Sequence, residues 1–208
     1  GDVYKRQSIN RLLEKYLNKL NPKNLSNILR SNKVFVIFVA IIILFLSYLS
    51  IPHVYNKAEI QKELENQLFN KFGLNFNFTQ KLEYNFYPRP HFIIEESSIL
   101  EKELNISDIK KLSIYLSLNN FFSLKNITIK DVILENANFN LNKKNSDFFL
   151  KLLDNKFLQS RFIIKNSNVF FKSNDEEVLF VNKIIEMKYH YDTKELKNLV
   201  NSENEIFN

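Results

Sequence analysis

Cysteine and tryptophan are absent from this chain of 208 residues, and glycine occurs only as Gly1 and Gly73. Without cysteine there is no disulfide frame, thiolate nucleophile, Cys-ligated zinc or Cys-ligated iron–sulfur cluster. A single interior glycine excludes a glycine-rich phosphate loop, which needs several backbone positions free of Cβ. Nucleotide-dependent chemistry is therefore not expected. The abundance of Asn, Lys, Ile and Phe fits the codons of an AT-rich genome and says little about function. At this length one ordinary domain with a self-sufficient core is the starting expectation.

The net charge of +6 suggests nucleic acid until it is divided along the chain. Residues 1–33 hold eight basic and two acidic residues, which is the whole excess, and residues 34–208 are neutral with 21 of each sign. A duplex-binding domain needs its basic residues on a folded face, so no nucleic acid partner is expected.

The division falls at Val34–Ile51 (VFVIFVAIIILFLSYLSI), 18 residues without a charge. At about 1.5 Å rise per residue the run covers roughly 27 Å, and with residues 52–55 it reaches both interfaces of a bilayer. A transmembrane signal-anchor helix over residues 34–55 follows. Lys15, Lys19, Lys23, Arg30 and Lys33 precede it, whereas Lys57 and Lys62 beyond it are mixed with Glu59, Glu63 and Glu65. The basic side marks residues 1–33 as a cytoplasmic tail. The apolar stretch is too long for a cleaved signal peptide, and no small-x-small site follows it. Residues 56–208 are thus expected outside the cytoplasm, in the periplasm of a bacterium. GDVYKRQ at residues 1–7 reads as a non-native junction, and the polar SENEIFN end shows no closing element, so the chain reads as a fragment.

Beyond the span, Ile60, Leu64, Leu68, Phe69 and Phe72 recur at helical spacing between Glu and Lys, which predicts an amphipathic helix over Lys57 to Phe72 with Gly73 as its left-handed cap. Its apolar stripe could lie on a sheet or on a membrane surface; the mixed charges opposite favour the sheet. The period then drops to two. Strands are predicted at 74–78, 82–86, 92–99, 112–118, 127–134, 139–141, 162–171, 178–181 and 185–191, with Asn-rich turns. Tyr87-Pro88-Arg89-Pro90 must be a bend or an exposed edge, since two prolines remove two ladder donors. Ser146 is placed as N-cap of a short helix, Asp147 to Leu158. Three segments align 35 residues apart, starting at Phe92, Ile127 and Phe162, as a candidate repeat of a meander that adds hairpins to one sheet. The fold class is α+β and β-rich: one membrane helix, one amphipathic helix and an antiparallel meander forming a curved, groove-like sheet.

No catalytic constellation stands out. His53, His91 and His190 match no metal-ligand spacing, and His190 and Asp192 read as a surface pair. No serine sits in a GxSxG elbow, and the neighbours Glu95 and Glu96 should point to opposite faces. The chain reads as a non-enzyme without cofactor or metal.

Tyr87-Pro88-Arg89-Pro90-His91-Phe92-Ile93-Ile94, placed after an anchor, an amphipathic helix and a Gly-led strand, resembles the N-terminal region of the AsmA family of bacterial envelope proteins. The likeness covers roughly residues 33 to 192. It implies an inner-membrane-anchored periplasmic β-structure of the bridge-like lipid-transfer type, in which phospholipid acyl chains slide along an apolar groove between inner and outer membranes. It also implies a family-motif bend at Pro88, Arg89 and Pro90, and supplies no catalytic residues. The alternating faces nominate Phe76, Phe78, Tyr84, Phe86, Ile114, Leu116, Ile129, Phe139 and Phe171 as groove lining, though the same residues would serve equally well as a closed core. The alternative function is a scaffold that assists outer-membrane protein assembly or envelope biogenesis, pairing a sheet edge near Pro88 with envelope proteins.

Overall fold

The computed structural model describes residues 32–101, 104–147 and 160–207. The chain divides into two compact units at Tyr48/Leu49. The described part of the first is most of helix α1, Lys33–Val54, which is long and apolar enough to cross a membrane and is almost wholly unburied. The second begins with the last residues of that helix, Leu49 to Val54, and carries everything that follows.

Helix α2 spans Lys57–Phe72, as its periodicity predicts. Asn56 caps its start, the side-chain oxygen accepting from the Ala58 N–H at 2.9 Å. Gly73 ends it at φ 66°, its N–H donating to the Phe69 carbonyl. That left-handed position is where a Cβ would clash, which explains why the single interior glycine stands there. Ile60, Leu64, Leu68 and Phe72 are buried, while Phe69, one step off the stripe, is exposed.

Eight strands follow: β1 Asn75–Phe78, β2 Leu82–Asn85, β3 His91–Glu101, β4 Leu104–Leu116, β5 Ile129–Leu141, β6 Arg161–Lys172, β7 Val178–Asp192 and β8 Lys197–Phe207. They form one sheet in the order β1-β3-β4-β5-β6-β7-β8, with β2 also on β3. The sheet is not closed. Every pairing is antiparallel except β5 with β6, which run parallel. This corrects the expected antiparallel meander. Parallel neighbours need a long crossover, and residues 142–160 supply it. The predicted helix Asp147 to Leu158 lies in that crossover, outside the described residues but for its first position. The predicted pieces 127–134 and 139–141 are one strand, β5, as are 178–181 and 185–191 in β7. Ile127 belongs to the 3-10 turn that precedes β5.

Register assigns the two faces. Tyr84, Phe92, Ile114, Val132, Phe162 and Tyr189 lie in one row, and Ile94, Leu112, Leu134, Ile164 and Met187 in the next. Both rows are on the apolar face, where α2 packs and Phe72 meets Phe162 at 5.6 Å between ring centroids. The opposite face carries Glu95, Lys111, Glu135, Lys165 and Glu186 in a row of alternating sign, with Lys111 to Glu135 at 2.8 Å and Lys165 to Glu186 at 3.4 Å. Cross-strand pairs of opposite charge suit a solvated face.

A line of irregular residues crosses the strands. Glu96, Asn136 and Asn166 all have positive φ, and the ladders skip them. Each is followed by a small buried side chain, Ser97, Ala137 or Ser167. Phe92 to Ile99, Val132 to Phe139 and Phe162 to Val169 therefore share one pattern: three apolar residues, a charge, a left-handed Glu or Asn, a small residue, a polar one and an apolar one. The predicted 35-residue repeat is therefore corrected: the equivalent segments start at Phe92, Val132 and Phe162, 40 and 30 residues apart, and share a strand pattern rather than a fixed period. Lys110 of β4 and Ile185 of β7 are skipped on the same line, so the register is unchanged across it and the inward-facing positions move by one residue in all five strands together.

Candidate functional site

The apolar face is not equally covered along the sheet. Beneath α2, Phe92, Ile94, Leu112, Ile114, Val132 and Leu134 are fully buried. Further along, a trough of about 210 Å³ opens on the same face across β5–β8. Phe139 and Leu141 come from β5, Ile164, Val169 and Phe171 from β6, and Ile184 and Met187 from β7, with the polar side chains of Asn182, Ser202 and Asn204 completing the lining. Its walls are apolar because alternation places every second side chain of β5, β6 and β7 on this face. Phe171 stacks on Phe180 at 4.1 Å, which fixes one end. Other surface depressions are lined by charged side chains such as Lys57 and Glu83, or Asp108 and Lys110.

Of the nine groove residues nominated from the sequence, the structure brings Phe139 and Phe171 together in this trough. Phe76, Phe78, Ile114, Leu116 and Ile129 are buried in the closed core instead. Tyr84 is half-buried, its ring against Phe92 at 5.2 Å and its hydroxyl donating to the Leu49 carbonyl at 2.5 Å. Burial pushes its pKa up to about 12. Phe86 lies past the end of β2 and is exposed, because the strand stops at Asn85. The lining residues the sequence reading missed, Leu141, Ile164, Val169, Ile184 and Met187, carry the same alternation; what distinguishes them is distance from α2, which only the tertiary fold sets.

The Pro88-Arg89-Pro90 segment is the expected bend, between β2 and β3, and β2, which pairs only with β3, leaves an edge of the sheet beside it. The bend is fastened by charge. Arg89 Nη1 donates to Asp131 Oδ2 at 3.1 Å, and Arg161 donates to both oxygens of the same carboxylate at 2.9 Å. The Arg89 guanidinium lies 4.5 Å above the Tyr115 ring, on which His91 also stacks at 4.8 Å. The Asp131 side chain is only 2% exposed, whereas both arginines are about half exposed. Burial pushes the Asp131 carboxyl up, but Arg161 and then Arg89 outweigh it and hold the pKa below the ordinary carboxylate value. Two guanidiniums on one carboxylate leave a local positive charge, and both keep N–H donors pointing elsewhere.

Other titratable groups have structural partners. Asp192, nominated beside His190, accepts from the backbone N–H groups of Lys194 and Glu195 in the β7–β8 turn, and these bonds lower its pKa. Lys71, near the end of α2, donates to the Ile129 carbonyl at 2.7 Å and the Ser160 hydroxyl at 3.2 Å, and burial lowers its pKa. Glu95 and Glu96 do not alternate between faces as expected, because Glu96 is in left-handed backbone: both are exposed, Glu95 opposite Lys111 in the charge row and Glu96 accepting from Gln80. No family model matches the chain, and no curated protein matches it.

Proposed function

We propose that this chain is an inner-membrane-anchored envelope protein, its N-terminus cytoplasmic and its sheet periplasmic, that holds or guides phospholipid acyl chains without chemical catalysis. The observation that carries this reading is the trough on β5–β8. Seven of its ten lining residues are apolar, and Asn182, Ser202 and Asn204 complete the lining. Its volume of about 210 Å³ suits a segment of one acyl chain rather than a whole lipid. Each methylene moved out of water contributes about 0.8 kcal/mol, so several together give affinity without a polar anchor. The apolar α1 and the basic tail before it support the anchored topology. The resemblance of Tyr87 to Ile94 to the AsmA family points the same way.

The test is native mass spectrometry on the full chain extracted in mild detergent. The protein should retain phospholipid, and Phe171→Asp should lose it while keeping its thermal midpoint. Equal retention by both proteins would remove the trough from the account. A second reading, a scaffold for envelope proteins, is supported by β8, an almost wholly exposed strand of 11 residues at the end of the sheet order. Photocrosslinks from β8 to proteins, with none from the trough to lipid, would favour it.

A further inference from the structure

One end of the sheet collects features that neither the trough nor the core uses. The β2–β3 bend and the β4–β5 connection lie side by side there, joined by the Leu116 N–H donating to the Pro90 carbonyl at 2.9 Å, and the Ser117 N–H donating to the Thr128 carbonyl at 2.8 Å closes the base of the connection. Their tips present aromatic rings outward: Tyr87 is 81% and Phe122 75% exposed, and Phe86 is exposed beside them. Polar residues are the rule at loop tips, and three exposed aromatic rings together mark an interaction surface. Cations accompany the rings. The half-exposed guanidiniums of Arg89 and Arg161 lie at this end, and Lys125 on the connection and Lys130 at the start of β5 are exposed. Among the described residues the acidic groups near it are Asp131, buried and shared by both arginines, Glu83, and Glu59 and Glu63 in the first two turns of α2.

The same end is fastened to the residues that leave the apolar run. The Tyr84 hydroxyl donates to the Leu49 carbonyl in α1, and the Tyr55 hydroxyl donates to the Phe121 carbonyl, next to Phe122, at 2.6 Å. Both bonds place the loop tips beside Leu49–Tyr55, where a membrane span would emerge into the headgroup zone. Aromatic rings belong at that depth, and cations there meet lipid phosphates.

We propose that this end of the sheet is a membrane-docking surface. Phe86, Tyr87 and Phe122 seat at the boundary of headgroups and acyl chains of the bilayer that α1 enters, and Arg89 and Arg161 reach its phosphates. This rests on reading α1 as a span, and it does not depend on the trough holding lipid.

The absence of tryptophan makes the test clean, since one introduced indole is the only reporter. The full chain is placed in phosphatidylcholine nanodiscs with bromine at a shallow acyl position, carrying Tyr87→Trp, Phe122→Trp, Leu44→Trp or Leu179→Trp. Leu179 is exposed near the start of β7, at the opposite end of the sheet. Expected are blue-shifted, strongly quenched emission from Tyr87→Trp and Phe122→Trp and unquenched emission from Leu179→Trp. If Leu44→Trp responds to a deep bromine while both loop probes stay red-shifted and unquenched, the span stands and the docking surface is wrong. Quenching of Leu179→Trp together with the loop probes means that the sheet lies flat, which also overturns it. Should Leu44→Trp fail to respond, the anchor reading falls and the docking surface with it.

Discussion

Two stretches of one sheet face, built from the same alternation, have different fates. Under α2, the row Phe92, Ile114, Val132 and Phe162 is sealed by Ile60, Leu64, Leu68 and Phe72. Across β5–β8 the same pattern continues into a trough whose floor, Phe139, Ile164 and Ile184, is itself buried, and among the described residues its more open part is Leu141, Phe171 and Met187. The difference teaches that an apolar strand face is only a potential site. What makes it a core or a groove is the length of the element laid across it, and α2 ends at Gly73. By area, burying a side chain of this kind contributes about 1.5–3 kcal/mol, so the sealed rows dominate stability and the open one is available to a ligand.

Mutations can break this contrast at either end. The largest effect is expected beneath the helix: Leu68, 0% exposed, changed to Ala should cost about 3–4 kcal/mol in urea unfolding, whereas Met187→Ala in the trough should cost under ~1.5 kcal/mol, since no cavity is left in an open wall. Comparable losses would mean that the two regions are equally packed. Next comes the charge clamp on the bend. Asp131→Asn should lower stability by about 2–3 kcal/mol at neutral pH, because two guanidiniums lose a buried acceptor. The pH dependence has a definite sign. A carboxyl with a folded pKa below its unfolded 3.8 contributes stability above that value, which is lost as pH falls through the folded pKa. Wild type should weaken over that acidic window, and an Asp131→Asn chain that still shows the same loss would assign it to other carboxylates.

Smaller effects sharpen the frame around the helix. Gly73→Ala should cost about 1 kcal/mol, since the left-handed cap at φ 66° disfavours a Cβ, and thermal unfolding would register it as a shift of a few degrees. On the charged face, Lys165→Ala should change stability by no more than ~0.5 kcal/mol, with the difference fading at high salt, because the Lys165–Glu186 pair is exposed. A larger value would mean that the alternating row acts as a network.

Helix α2 was legible in full because its stripe, its polar neighbours and Gly73 all agree. The apolar α1 was equally plain. The 35-residue repeat did not hold, because its middle segment was aligned at Ile127 when the equivalent one starts at Val132, and both begin apolar runs. Only the left-handed Asn136, in the place of Glu96 and Asn166, distinguishes them. Strand β8 was missed: Val200 and Ile206 alternate with Asn, Ser and Glu, as an exposed edge strand does, and that composition also reads as a polar tail. The parallel pairing of β5 and β6 has no local signal at all, because strand direction is set by the crossover and not by the strand. Only two of nine groove candidates reached the trough for the related reason that alternation names a face without saying what covers it. The Arg89–Asp131–Arg161 clamp joins residues far apart in sequence, and no spacing announced it.

The most direct test of the trough uses strand geometry itself. A photocrosslinking amino acid is placed at Phe171, which lines the trough, or at Phe170, its neighbour on the opposite face, in the full chain within native membranes. The account predicts lipid adducts from position 171 and none from position 170. Adducts to lipid from both positions alike, or only protein adducts from 171, would contradict it.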